Sequence, residues 1–377
     1  MKIYFNNAAS SYPKPDCVIE AVTDSIKNQF GEAGRGIPGN DPREEGRHRA
    51  AKLFGLSDAC RVIFVPSATY ALNAVILSIM NPPVGHVVTT ALEHNSVLRP
   101  LERLRRDSKV ALTHIDPEAD GCLDPAKVAA AIRTDTKLIA VTHISNVTGC
   151  VQPVEDIADI AAKRGLPLLL DASQSAGLVP LDLSRLPGRV FVAVAGHKGL
   201  QGPSGTGLLL LPDNELEPVL AGGTGIDSEA PIMPQRLPVR WEPGTPNMSG
   251  IAGLAAGMKF VLEKGVDVLG VLRNDLTVYL RNKLSELPGL NLSPWVHEDG
   301  RAGIVSFTLQ GWTASELGYV LSHSFDIETR AGLHCAPRAH YAMGTFPNGS
   351  LRVSLGLFST RDEVEALLLA LRTLVAP

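Results

Sequence analysis

The 377-residue sequence predicts an α/β protein: a large domain built on a mostly parallel sheet, followed by a smaller α+β domain. Three observations carry this expectation. Short runs at 62–65, 87–91, 110–115, 138–142, 166–170 and 190–195 are largely apolar throughout rather than on alternate residues, as in strands buried on both faces. Helical stretches separate these runs, the spacing of parallel strands joined by crossover helices. After residue 249 the order changes to a long helical stretch, then short strands mixed with capped helices. On this reading residues 16–249 form the large domain, and residues 1–15 with 250–377 form the small one.

Residues 1–15 are polar and turn-rich, an arm that returns to pack elsewhere. After the strand at 62–65, a helix is expected over 68–80. A basic helix at 97–106 follows the strand at 87–91. The pair Asp124-Pro125 opens a helix to residue 133, because proline is favoured in a first helical turn. A further helix spans 154–163. Residues 218–249, rich in glycine and proline, form a long irregular connection, which is uncommon unless functional or crossing between domains. Helical sequence then runs over 251–287, and strands are expected near 303–309, 326–329 and 351–354. Thr313-Ala-Ser-Glu316 and Thr360-Arg-Asp-Glu363 each fit a reciprocal helix cap. In the last helix Val364, Leu367, Leu368, Leu371 and Leu374 share one stripe, read as core.

Composition narrows the function classes. A net charge of -4, without a basic block or acidic tail, argues against a nucleic-acid partner. No apolar stretch reaches the ~18–20 residues of a membrane span, and the first residues lack the apolar segment of a secretory leader. The five cysteines, Cys17, Cys60, Cys122, Cys150 and Cys335, form no CxxC pair and no metal-like cluster. A cytoplasmic protein without a metal is the expectation.

Chemistry is sought at the carboxyl ends of the strands, where parallel sheets bind ligands. The run 190–195 leads into Gly196-His197-Lys198 and a glycine-rich turn. A lysine there is either a surface residue of a turn or a desolvated amine whose lowered pKa suits imine formation. The run 166–170 ends in Asp171, either a helix N-cap or the partner of a buried cation. Such a contact at ~4 Å and an effective dielectric of ~20 is worth about 4 kcal/mol. Together, an imine-forming lysine and an aspartate on a pyridinium nitrogen are the arrangement for pyridoxal phosphate. Ser67-Ala68-Thr69 opens a helix after a strand, which suits a phosphate or is simply a cap. His94 follows another strand and either lies on a ring, moves a proton or merely packs. Asn146 follows a fourth, placed to hydrogen-bond a phenolic oxygen.

These residues, with Tyr4-Phe-Asn-Asn-Ala-Ala9, Glu93-His94, Ser145-Asn146, Asp171-Ala-Ser-Gln174, Arg240-Trp-Glu-Pro-Gly-Thr245, Arg330-Ala-Gly-Leu-His-Cys335-Ala336 and Leu351-Arg352-Val-Ser354, carry a family resemblance. The chain resembles the class V aminotransferase-like, fold-type I pyridoxal phosphate enzymes over nearly its whole length. Within them it is similar to the cysteine desulfurases and selenocysteine lyases of the Suf/Csd-like group. The resemblance implies that Lys198 carries the cofactor and shuttles a proton, that Asp171 pairs with the pyridine nitrogen, and that His94 stacks on the ring. It places Gln174 and Asn146 at the phenolic oxygen. Thr69, His197 and the backbone at Ala68 would hold the phosphate, with Thr245 entering from the partner subunit of a homodimer. Arg352, with Arg330 and Asn7, would bind the substrate, L-cysteine or L-selenocysteine. Cys335 would take the sulfur as a persulfide and pass it to an acceptor protein. A free cysteine is usually a small buried hydrophobe, but Arg330, His334 and Arg338 lie near this one in sequence, and positive charge raises a thiol's thiolate fraction. Ala195, Leu333 and Ala68 depart from the family pattern, where serine, histidine and a second hydroxyl residue are common. The alternative on the same scaffold is an aminotransferase or β-lyase in which Cys335 is not catalytic.

Overall fold

In the computed structural model, which describes residues 2–28, 41–293 and 302–375, the apolar runs become a seven-stranded sheet with helices on both faces. The chain begins with β1 (Ile3–Tyr4), α1 (Asp16–Lys27) and α2 (Pro42–Phe54). It continues through β2 (Val62–Val65), α3 (Ala68–Ile79), β3 (Val84–Thr90), α4 (Asn95–Asp107), β4 (Lys109–Ile115), α5 (Pro125–Ala131), β5 (Thr136–Thr142) and α6 (Val154–Lys163). Then come β6 (Leu168–Asp171), β7 (Val190–Ala195), β8 (Gly207–Leu210), α7 (Met248–Lys264) and α8 (Val266–Ser285). The remainder is β9 (Leu290–Leu292), β10 (Ile304–Leu309), α9 (Ala314–Phe325), β11 (Ile327–Glu328), β12 (Arg330–Gly332), α10 (Pro337–Ala342), β13 (Ser350–Ser354) and α11 (Arg361–Val375).

The large sheet has the order β2-β8-β7-β6-β5-β3-β4, and only β8 runs antiparallel to its neighbours. Side chains of a strand alternate between faces, and here both faces are apolar. Val190, Val192 and Val194 enter one core with Leu168, Leu170, Ile139 and Val141, against Phe54 of α2, Ile157 of α6 and Met258 of α7. Phe191, Ala193, Leu169, Leu138 and Ala140 enter the other, against Leu72 and Ile76 of α3 and Leu101 of α4. Each fully buried side chain of this kind contributes about 1.5–3 kcal/mol, so both sides of the central strands are strongly specified.

The returning strand β8 draws α3 to the site. A Cβ on Gly207 would lie 2.9 Å from the Ser67 carbonyl carbon and 3.1 Å from the Ala68 nitrogen. Only glycine lets β8 pass this close beneath the start of the helix.

A third core belongs to an antiparallel sheet, β12-β13-β10-β9, covered by α8, α9 and α11. Phe307, Leu351 and Val353 meet Leu280, Leu317, Leu321, Leu367 and Leu368 there. Both expected reciprocal caps form: Thr313 with Glu316, and Thr360 with Glu363. The helical stretch read as continuous over 251–287 is instead two helices, because Gly265 takes φ +83°. That conformation ends a helix and suits glycine. Leu254 and Met258 of α7 stay with the large sheet, whereas Leu280 and Leu284 of α8 join the small one. The amino-terminal arm does return: β1 pairs parallel with β11, and Asn6 bridges to Ser354.

Candidate active site

The carboxyl ends of β5, β6 and β7 and the segments after β2 and β3 surround one cavity of about 250 Å³, which residues of the small sheet and its loops close from the opposite side. Ala68, Thr69, His94, Asn146, Asp171, Gln174, His197, Lys198, Arg330, Cys335 and Arg352 all line it. Eleven positions dispersed in sequence from residue 68 to residue 352 thus meet at one place.

Lys198 is the central cation. Burial pushes its amine down to about 8, with the Asp171 carboxylate opposing that shift and Arg352 adding to it. An amine so lowered is partly unprotonated near neutral pH, as a lysine nucleophile or base requires. Asp171 is 5% exposed and closes β6, in register with Ala193 of β7 and Thr142 of β5. Its Oδ1 also accepts the Ser173 N–H at 2.9 Å, but the segment that follows is a turn and not a helix, so the reading of Asp171 as a helix cap is not met.

His94 caps α4. Its Nδ1 accepts the Ser96 N–H at 3.1 Å and lies 2.8 Å from Ser96 Oγ. Burial and, next, the Lys198 charge push the ring down to about 4, so it is neutral, with its proton on Nε2. Ser96 Oγ is also 2.7 Å from Thr69 Oγ1, which joins the starts of α3 and α4 through one hydroxyl. At α3, Ser67 caps Tyr70 N at 3.2 Å. The N–H groups of Ala68 and Thr69, in the first turn, have no intrahelical acceptor and face an anion favourably. His197 is likewise neutral, pushed down to about 4 by burial with help from Lys198 and Lys14.

Arg352, on β13, is 3% exposed. Its Nη1 donates to the Asn146 carbonyl at 2.8 Å and its Nη2 to Asn6 Oδ1 at 3.4 Å. Its Nε is buried without an acceptor among the described residues. A buried guanidinium donor left over in this way is placed for a carboxylate.

Cys335 lies on the loop between β12 and α10 and is exposed. His334 and Cys335 take φ +48° and +58°, left-handed conformations that non-glycine residues adopt at a cost of about 1–3 kcal/mol each. Two bonds hold the loop there: Asn146 Nδ2 donates to the His334 carbonyl at 2.7 Å, and Asn95 N–H to the Cys335 carbonyl at 2.6 Å.

Some residues singled out in sequence take other places. Asn7 does not line this cavity; its Nδ2 donates to the Ser354 carbonyl at 3.0 Å and its Oδ1 accepts Tyr12 N–H at 3.1 Å, fixing the arm. The neighbouring Asn6 reaches Arg352 instead. The Asn146 amide nitrogen, expected at the phenolic oxygen, instead donates to the His334 carbonyl beside Cys335. Gln174 Nε2 donates to the Ala8 carbonyl at 2.9 Å. Thr245 lines a separate cavity of about 320 Å³ with Phe64, Thr206 and Trp241. Ser96 escaped the sequence reading, because a serine following a helix cap has no distinguishing pattern in one dimension.

Comparison with known proteins agrees with this geometry. The family pattern described as Aminotransferase class-V matches residues 3–367. A probable cysteine desulfurase of Pyrococcus abyssi is 32% identical, over 99% of this chain and 94% of the relative. A cysteine desulfurase of Serratia proteamaculans is 31% identical, over 98% of this chain and 92% of its own. Among solved structures, the apo cysteine desulfurase of Thermococcus onnurineus superposes with a TM-score of 0.91 at 30% identity, covering 99% of this chain and 94% of that one. With its fold, its strand-end lysine and these relatives in agreement, the chain belongs to the class-V aminotransferase family and, within it, to the cysteine desulfurases.

Proposed function

We propose that this enzyme uses pyridoxal phosphate to remove sulfur from L-cysteine, releasing L-alanine and leaving a persulfide on Cys335. The observation that carries the reading is that an exposed cysteine, held in a left-handed turn, lines the same cavity as the desolvated Lys198.

The donor set fits the cofactor. Lys198 offers an amine with a lowered pKa, Asp171 a carboxylate for a ring nitrogen, His94 a neutral ring, and the start of α3 a pair of N–H groups with Thr69 for the phosphate. When bound, the cofactor supplies an electron sink that stabilises negative charge on substrate carbon. Arg352 grips the substrate carboxylate through its unspent donor and fixes the amino acid between Lys198 and Cys335. Lys198, whose unprotonated fraction near neutral pH is raised by burial, accepts the α-proton. The Cys335 thiolate attacks the substrate sulfur; an S–S bond forms, the C–S bond breaks, and its electron pair goes to the β-carbon. One proton converts that carbon to the methyl group, and Lys198 returns the other to the α-carbon, giving alanine. Exposure of Cys335 leaves the persulfide within reach of a sulfur-acceptor protein. L-Selenocysteine fits the same groups and is the second substrate to assay.

The test is to supply purified protein with pyridoxal phosphate and L-cysteine. Equal yields of alanine and of sulfur on Cys335 are expected. Transamination with a keto acid, without persulfide, would overturn the reading.

The active unit proposed is a cytoplasmic homodimer in which Thr245 completes the partner's phosphate site. That Thr245 lines a different cavity from Lys198 within one chain supports this. Lys198→Ala subunits mixed with Thr245→Asp subunits should regain activity, since one site per mixed dimer is intact. Mixed dimers that stay inactive would refute it.

A further inference from the structure

Glu93 is wholly buried and bonded to the cavity-lining Thr142, and no step above uses it. Its Oε1 accepts two bonds, from Thr90 Oγ1 at 2.7 Å and from the Thr142 N–H at 2.8 Å. Its Oε2 is buried with no partner among the described residues. Thr142 is the residue in register with Asp171 across β5 and β6, and its side chain lines the cavity. A second carboxyl group therefore sits one strand away from Asp171. An ionised carboxylate with one oxygen unsolvated and a like charge nearby is strongly disfavoured.

The titratable groups around it supply no countercharge of their own. His94 follows it directly, His143 follows Thr142, and the His114 ring, at the end of β4, has Nδ1 3.5 Å from the Thr90 carbonyl. Burial pushes all three histidines down, so they are neutral near pH 7. Lys198 and Arg352 act on His94, and the charge that acts on Glu93 is that of Asp171. We propose that Glu93 is a positioning residue that works as an un-ionised carboxylic acid, fixing the end of β5 beside Asp171 so that one negative charge, not two, lies under the cavity. Burial pushing this carboxyl up to about 8 agrees with that assignment.

The role rests on the pyridoxal phosphate reading, but the protonation state does not, so the experiment separates them. In wild-type protein without added cofactor, infrared difference spectroscopy against Glu93→Gln at pH 7 should show the carbonyl band of a protonated carboxyl, lost in the variant. A carboxylate band lost instead would overturn the proposal. Thermal unfolding gives a second readout. The raised pKa in the folded state means that its stability contribution is full below the unfolded pKa of about 4.5 and lost as pH rises toward about 8. The melting temperature of Glu93→Gln minus that of wild type should therefore grow over that interval; a constant difference would overturn the proposal. For the positioning role, Glu93→Gln should hold pyridoxal phosphate within about threefold of wild type, since it still accepts from Thr90 and Thr142. Glu93→Ala, which strands both donors, should weaken it at least tenfold. A glutamine variant as weak as the alanine one would show that a carboxylate is required and refute the neutral-acid role.

Discussion

The two sides of the cavity are built in opposite ways. Lys198 and Asp171 sit at the ends of adjacent parallel strands, β7 and β6, whose residues alternate between two closed apolar cores. Cys335 hangs on an exposed loop that leaves the four-stranded sheet, in a left-handed turn held by Asn146 and Asn95. The first side gains its reactivity from burial, which lowers the amine of Lys198. The second depends on access, since a group that receives sulfur and passes it on must meet both the cavity and the outside. On the proposed mechanism, rigid sheet ends set the proton chemistry, and a strained loop carries the transferable atom. The two sides are joined by Asn146, whose carbonyl accepts from Arg352 and whose amide holds the Cys335 loop.

Removing the sheet-side group tests this division most severely. Lys198→Ala takes away the amine and the proton acceptor together. A positioned acid–base group is typically worth 10²–10⁴-fold, so a fall in kcat at the upper end, about 10⁴-fold, is expected for cysteine and for any other amino acid processed. Borohydride treatment with added pyridoxal phosphate should label Lys198 in wild type and nothing comparable in the variant. A label on another lysine would break the comparison at its stronger side.

The loop side should fail more narrowly. Cys335→Ala leaves Lys198, Asp171 and Arg352 in place, so the cofactor should still bind and cysteine should still perturb its spectrum. Sulfur release should fall by more than ~100-fold, about 2.7 kcal/mol of barrier. Arg352→Ala is the contrast: it should raise KM for every amino acid tested, because all share the carboxylate. If Cys335→Ala turned over cysteine like the parent, the loop would be only a lid.

How much of this was legible in sequence follows the same division. The sheet side was largely readable, because an apolar run ending in Asp171 or leading to Lys198 has a local pattern and strand ends converge by topology. The opposite side was legible mainly through motif: Arg330, Cys335 and Arg352 come from loops and strands whose meeting depends on tertiary packing. The part not legible was through-space geometry. Asn7 was chosen for substrate, yet a one-residue difference in a turn gives that direction to Asn6 and spends Asn7 on the arm. The break at Gly265 was missed because one glycine in a helical pattern is usually tolerated, and only its φ of +83° reveals the end.

The smallest expected effect lies where no sequence signal existed. Ser96 Oγ stands 2.7 Å from Thr69 Oγ1 and 2.8 Å from His94 Nδ1, so one hydroxyl ties the start of α3, the proposed phosphate end, to His94. Ser96→Ala removes the hydroxyl but not the backbone N–H, which still donates to His94 Nδ1. The histidine should thus keep its tautomer and its place, and Thr69 alone should lose a fixed partner. A net hydrogen bond is worth about 1 kcal/mol, roughly a fivefold weakening of pyridoxal phosphate affinity by the arithmetic of binding. Cofactor titration followed by absorbance measures it, and kcat at saturating cofactor should change less than twofold. A large fall in kcat with unchanged affinity would mean that Ser96 serves His94 rather than Thr69. The sheet side would then depend on a hydroxyl relay as well as on burial.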